Sequence, residues 1–193
     1  RATPLGPLLQ RDPKEGAPAS EATEVRVLFD ADNLYFGIKC RDRVPSAIVS
    51  TRLARDADLE VDDHITVVVD PFFDHRNGFF FQTSPAGVLR DQAFTDEGNL
   101  SISWNAIWDV RSARFDGGWA MEMVIPFKSI RYGASGPQVW GVQFRRIVKW
   151  KEVVTDLAPF VPEGDYNAAI DGHTDEQEGT RPLLLTTGGG ATE

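Results

Sequence analysis

Between residues 25 and 40 the chain places an apolar side chain at every second position, and that spacing restricts its fold more than any other feature. Val25, Val27 and Phe29 share one parity; after Asp30-Ala31-Asp32-Asn33 the series resumes with Leu34, Phe36, Ile38 and Cys40. A strand turns successive side chains to opposite faces, so this pattern buries one face and wets the other, whereas a helix needs repeats of three and four. Two such runs around a short Asp/Asn turn make a β-hairpin. Phe79 to Ser84 and Val88 to Phe94 repeat the arrangement across Pro85-Ala86-Gly87. Ala106 to Phe115 and Trp119 to Ile125 repeat it across Asp116-Gly117-Gly118, the second strand stopping at Pro126. Val139 to Val148 alternates as well, while His64 to Asp70 (HITVVVD) is almost continuously β-branched, as a central strand buried on both faces would be.

About eight strands with turn signals between them, and no sustained helical period, predict an all-β fold. The expected architecture is an antiparallel β-sandwich, immunoglobulin-like or jelly-roll-like, with minor helical turns in 45–63 and at Phe127 to Arg131. Residues 1–22, rich in Pro, Gly and Ala, read as an extended lead-in touching the body through Leu8 and Leu9. The sandwich is expected over 23–187. Within it Gly164 to Thr180, carrying Asp171 to Glu176, reads as a mobile loop and Pro182 to Thr186 as a last strand; 188–193 is a flexible tail. No internal repeat is visible.

A chain of 193 residues fits one domain. It can bury about 70% of its unfolded surface, enough to fold without a disulfide or metal staple. The net charge of −9 repels a phosphate backbone, which argues against nucleic acid and anionic membrane surfaces and leaves a divalent cation or neutral polar ligand compatible. One cysteine, Cys40, excludes an internal disulfide and a cysteine-based zinc site, and its place in an alternating run suggests an inert buried thiol. Both a reducing cytosol and a Gram-negative periplasm allow it. No apolar run approaches the roughly 20 residues that cross a bilayer. The chain opens at Arg1 without a methionine, as a mature or excised fragment would.

Signals for catalysis are weak: there is no GxSxG, HExxH or phosphate-cradling glycine motif, and His64, His75 and His173 are far apart without motif partners. Carboxylate pairs are many, and only geometry would make one a glycosidase dyad. The expectation is a non-enzyme. The run from Asp56 to Asp63 is dense in acids, and calcium needs six to eight hard oxygens, so Asp56, Asp58, Asp62 and Asp63 are candidate ligands of a structural calcium ion. The other reading is a solvated loop whose acids cap turns or pair with Arg52 and Arg55. A sugar ring offers an apolar face of C–H groups to an aromatic and a rim of hydroxyls to polar side chains. Trp104 and Trp108 share parity, with Asn105 and Asp109 opposite; Trp119 and Trp140 sit in alternating strands, as core residues do. Trp104, close to polar Asn99 and Ser101, and Trp150, between Lys149 and Lys151, are the candidate exposed platforms. Arg145-Arg146 closes a strand. One is expected exposed and one paired with an acid near Asp62-Asp63, though either guanidinium can also bind vicinal hydroxyls.

The ordered series Thr23 to Asp30, Leu34 to Ile38, Asp62 to Ile65, Val69-Asp70-Pro71, Asn77 to Phe81, Pro85 to Gly87, Trp104 to Ala106, Gly118 to Glu122, Ile125 to Phe127 and Trp140 to Arg146 resembles the family 9-like carbohydrate-binding modules. It looks most like the subgroup at the N-terminus of large bacterial proteins with a predicted outer-membrane β-barrel. The likeness covers roughly residues 10 to 150. It implies a β-sandwich, carbohydrate as partner, structural calcium, and an exported location: periplasmic, outer-membrane-associated or extracellular. It also implies sugar held between two tryptophans. The alternative function is an interaction or gating domain docked on its own barrel or another protein through Pro71-Phe72-Phe73 and Phe79 to Phe81. A third, haem ligation by Met121, Met123 and His64, competes with core packing of the two methionines.

Overall fold

The computed structural model describes residues 3–95, 99–133, 138–157, 181–185 and 191–192. They form an antiparallel β-sandwich. Its first sheet has five strands: β1 (Thr3–Pro4), β3 (Thr23–Phe29), β4 (Asn33–Arg41), β10 (Gly118–Pro126) and β9 (Asp109–Phe115), in that spatial order. The second has nine. Along it run β14 (Ala191–Thr192), β13 (Arg181–Leu185), β11 (Gln138–Val148), β5 (His64–Asp70), β6 (Gly78–Thr83), β7 (Arg90–Thr95) and β8 (Asn99–Ser101). The remaining two, β12 (Val153–Leu157) and β2 (Leu8–Asp12), extend it from the far half of β11. Short 3-10 turns at Pro45–Ala47, Phe127–Ser129 and Lys149–Lys151 are the only helical elements among the described residues.

The predicted hairpins form, and their turns work as the chemistry requires. Phe29 pairs with Leu34 across the Asp/Asn turn, where Asp30 Oδ1 accepts the N–H groups of Asp32 and Asn33 at 2.8 Å each. The alternating residues meet in one core: Val25, Val27, Leu34, Phe36 and Ile38 from the first sheet face Ile65, Val67, Val69, Phe81, Trp140, Val142 and Phe144 from the second. Trp119 and Trp140 are buried there, as their strands implied. Every residue of β5 is buried, with Ile65, Val67 and Val69 in the main core and Val68 packed with Phe80 and Phe94 on the sheet's other side.

Two expectations about the ends need correction. Residues 3–22 touch the body through Leu8, as expected, but go further than a lead-in by adding strands to both sheets. Thr3–Pro4 pairs with β3, and Leu8–Asp12 pairs with β12, because Leu5 and Leu8 are apolar enough to be drawn into the core. The tail is not wholly free either, since Ala191–Thr192 pairs with Leu184 and Leu185. The loop expected over 164–180 lies outside the described residues.

Two glycines show what the sheets demand. Gly118 has φ +144°, and a Cβ there would lie 2.0 Å from the Cys40 carbonyl oxygen. At Gly37, in the middle of β4, φ is ordinary and a Cβ would meet nothing within 4 Å. Gly118→Ala should therefore lower stability by about 3 kcal/mol. Gly37→Ala should leave the denaturation midpoint unchanged or raised, since glycine weakens a strand interior. Urea unfolding of the two variants checks both.

Candidate ligand-binding site

The acidic run does not assemble into a calcium cage. Asp62 is buried and turned onto its own loop: Oδ2 accepts the N–H groups of Thr51 (2.8 Å) and Arg52 (2.7 Å), and Oδ1 accepts the Thr51 hydroxyl at 2.7 Å. Burial alone would raise its pKa, but these donors outweigh it and hold the carboxyl below the usual aspartate range. Asp63 Oδ2 accepts the Val49 N–H at 2.8 Å, and burial pushes this carboxyl up. The two side chains brace the connection that enters β5. Asp56 has a left-handed backbone and lies by Arg55, while Asp58 Oδ1 accepts the Glu60 N–H at 3.1 Å and stands 3.8 Å from Arg90. Among the described residues no three His, Cys, Asp or Glu side chains are placed to hold one ion.

Arg145 and Arg146 are both buried, so neither is free to hold a ligand. On the outer side of its sheet, Arg145 binds Asp156 through two bonds of 2.7 and 2.8 Å. Arg146 has the parity of Phe144 and points inward, donating to the Ala22 carbonyl (3.2 Å), the Thr23 hydroxyl (3.0 Å) and the Arg41 carbonyl (2.8 Å) on the opposite sheet. Its ion-pair partner is Asp42, at 4.0 Å, rather than the acid near Asp62-Asp63 that was expected. The haem reading also fails to converge: Met121 and Met123 face the core, whereas His64 has the opposite parity to Ile65 and donates from Nδ1 to the Asp62 carbonyl at 2.9 Å.

The two candidate platforms are at opposite ends of the molecule. Trp104 packs on Phe79, at the end of β6 paired with Val69. Trp150 follows β11 where that strand pairs with His64. Five residue steps of extended chain, roughly 17 Å, separate these levels, so the pair cannot clamp one sugar ring. Trp150 donates to Asp42 Oδ2 at 3.1 Å, and the Lys151 ammonium covers its ring 4.9 Å from the centroid. It is part of an ionic end-cap.

Trp104 instead lines a groove of about 550 Å³. Its ring lies 4.7 Å from that of Phe79 at a shallow 31°, and 6.0 Å from that of Phe81. Phe72, Asn77 and Thr95 add to one side, and the 127–131 turn brings Lys128, Ser129 and Arg131 to the other. None of the described lining residues is a carboxylate. The segment 104–108 is not the strand that parity suggested. It is a loop, held by buried Asp91, whose Oδ2 accepts the Ala106 N–H (2.6 Å) and whose Oδ1 accepts the Trp108 indole N–H (2.8 Å). Arg55 donates to Asp91 and Asn105, tying the acidic loop to the same anchor. An aromatic wall with amides, hydroxyls and cations at its rim can stack on an apolar face and hydrogen-bond a polar edge. Asn77, Lys128 and Arg131 were not anticipated as site residues, and Phe72 and Phe79 were named only for the docking alternative. Asn77-Gly78 beside Phe79, and the strand stop at Pro126, were the signals that turns there would place side chains at one end.

No family model and no curated protein matches the chain by sequence. Solved structures do share its fold. A "putative carbohydrate-binding protein" from Bacteroides uniformis superposes with a TM-score of 0.64 at 15% identity, over 83% of this chain and 78% of that one. A family 9 carbohydrate-binding module from Caldicellulosiruptor kristjanssonii, solved with cellotriose and with glucose, superposes with a TM-score of 0.53 in both cases. Identity is 13% and 12%, over 82% of this chain and 73% and 75% of theirs.

Asp62→Ala should destabilise the protein by about 3 kcal/mol, because it strands two backbone N–H groups and a hydroxyl. Asp58→Ala should change stability by no more than about 0.5 kcal/mol. Equal effects in chemical denaturation would contradict this division. Burial lowers the His64 pKa below its ordinary 6.5, its contact with the Asp62 carbonyl opposing the shift. As pH falls below 6.5 the unfolded chain takes up the proton first, so stability is lost progressively there. The melting temperature should drop between pH 7.5 and 5.5, and His64→Gln should remove most of that drop.

Proposed function

We propose that this chain, whose fold is that of the family 9 carbohydrate-binding modules, binds a saccharide without altering it. The observation that carries the reading is the Trp104 groove, with its stacked Phe79 and its rim of Asn77, Thr95, Ser129 and Arg131. Such a site meets both faces of sugar chemistry, C–H groups against the rings and hydroxyls against the rim. None of its described lining residues is a carboxylate, so among them there is no acid–base pair of the kind that cleaves a glycosidic bond. The carbohydrate modules that share the fold point the same way, as does the resemblance in the sequence. In this reading the module is exported and works in the periplasm or at the cell surface. Calcium, if the protein uses it, is not held by Asp62, whose two oxygens already accept from Thr51 and Arg52.

One observation favours a second reading, docking on a barrel or another protein. Ile102 and Ile107 are 79% and 75% exposed, and with Leu100 and Phe72 they stand at the groove's end of the molecule. Pro71 and Phe79 to Phe81 contribute little to such a patch because they are buried.

Calorimetric titration with glucose, cellotriose and a broad set of neutral and acidic oligosaccharides, in calcium and again after chelation, separates the readings. Trp104→Ala should weaken the best ligand at least tenfold, the loss of about one stacking contact. Trp150→Ala should leave affinity unchanged. No heat from any saccharide, with the fold intact, would overturn the saccharide reading in favour of protein docking.

A further inference from the structure

The solvent face of the five-stranded sheet carries a depression that its fold does not require. Side chains facing outward across β3, β4, β10 and β9 lie in rows set by the registers. One row is Arg26–Gly37–Glu122–Arg111, and its neighbours are Leu28–Tyr35–Val124–Asp109 and Glu24–Lys39–Ala120–Ala113. Two hollows of about 500 and 450 Å³ lie over these rows and share Arg26, Gly37, Glu122 and Arg111, so they form one continuous trough. Gly37 and Ala120 are its floor.

Gly37 is the feature in need of a reason. Glycine in the interior of a strand lowers stability and adds no packing, and it usually marks a bulge or the close approach of another molecule. There is no bulge: the registers of β4 with β3 and with β10 run through Gly37 without a shift. No neighbour comes within 4 Å of where a Cβ would stand, and the backbone conformation is open to any residue. What the missing side chain leaves is space between Arg26 and Glu122.

The charges around that space are the second observation. Arg26, Glu122 and Arg111 form no ion pair or hydrogen bond with the described residues, although Glu122 and Arg111 are cross-strand neighbours. Signs alternate along and across the trough, with Lys39 and Asp109 continuing the pattern. A polyanion would meet Glu24, Glu122 and Asp109; a polycation would meet Arg26, Arg111 and Lys39. The arrangement suits a neutral ligand whose groups donate to carboxylates and accept from guanidinium, as hydroxyls do. A peptide strand is a poorer fit, because it would need a free sheet edge, and both edges of β4 and of β10 are paired. From Tyr35 to Lys39 the floor runs roughly 13 Å, which suits an extended chain more than a single ring. The Tyr35–Val124 end adjoins Pro126 and the turn that walls the Trp104 groove.

We infer that this trough is a second binding surface, for an extended stretch of neutral polysaccharide lying along β4 and β10 over Gly37. The inference rests on the saccharide reading but does not depend on the Trp104 groove. Affinity electrophoresis in gels containing soluble β-1,4-glucan, β-1,4-xylan, β-1,4-mannan or α-1,4-glucan tests it with wild type, Gly37→Leu and Arg26→Gln/Glu122→Gln. A Cβ at Gly37 meets nothing within 4 Å and the side chain points to solvent, so thermal melting of Gly37→Leu should show an intact fold. Retardation of wild type by at least one glycan, with an apparent Kd at least tenfold weaker in both variants and insensitive to salt, is the expected result. Equal retardation of wild type and Gly37→Leu would overturn the trough and leave the saccharide reading standing. Preferential binding of polygalacturonate would overturn the neutral ligand. If no glycan retards wild type and no saccharide gives heat in titration, both readings fail together.

Discussion

The sandwich is held closed at one end by a buried guanidinium. Along β11 the inward parity runs Trp140, Val142, Phe144 and then Arg146, so the row that packs the core ends in a charge. That charge reaches across to the other sheet, where β3 begins and β4 ends, and takes the carbonyls of Ala22 and Arg41 and the hydroxyl of Thr23. Breaking a buried interaction of this type by removing one partner typically costs about 3–5 kcal/mol, because the remaining polar groups stay buried and unpaired. Around it stand Asp42, which also accepts the Trp150 indole N–H, and Glu21, which binds Arg43 and Lys151. The Lys149–Lys151 turn and the start of β3 are thereby fastened to the same cluster.

With that end sealed by ions, the opposite end carries the half-buried Trp104 ring packed against the core. There Phe79 and Trp104 stack beside the turn at 127–131, and Asp91 holds the Trp104 loop from below. A carboxylate that takes a backbone N–H, an indole N–H and a guanidinium fixes the loop far more firmly than its few apolar contacts would. The aromatic wall is therefore preorganised, which limits the entropy lost when a ligand is held. The open face of the five-stranded sheet meets this end at Pro126, so the two proposed surfaces share a border without sharing residues.

Period-two alternation was enough to read the hairpins, the inward faces and the burial of Trp119 and Trp140, because strand parity is a local property with immediate consequences for burial. The double burial of β5 was legible from its nearly continuous β-branched run, even though the parity of His64, Thr66, Val68 and Asp70 is mostly polar. Parity failed where a side chain's partner lies far away in sequence. Of Arg145 and Arg146 one was expected exposed and one paired near Asp62-Asp63, yet each is buried and finds its counter-groups elsewhere, at Asp156 and at Ala22, Thr23 and Arg41. Asp62 and Asp63 looked like metal ligands because a dense acidic run is consistent with either role. Only the folded loop reveals that Thr51 and Arg52 already occupy Asp62 Oδ2 and that Val49 takes Asp63 Oδ2.

The sequence by itself determined the fold class, the strand faces and the expectation of an aromatic-lined site, because hydrophobic spacing and turn chemistry act over a few neighbouring residues. Only the tertiary structure decided which aromatics are available. It drew Trp150 into an ionic cap and set Trp104 beside Phe79 and Arg131. It also placed Gly37 between Arg26 and Glu122, which pair with none of the described residues. Those outcomes depend on register between strands distant in the chain, and register comes from the global burial of the core, which no short stretch of sequence encodes.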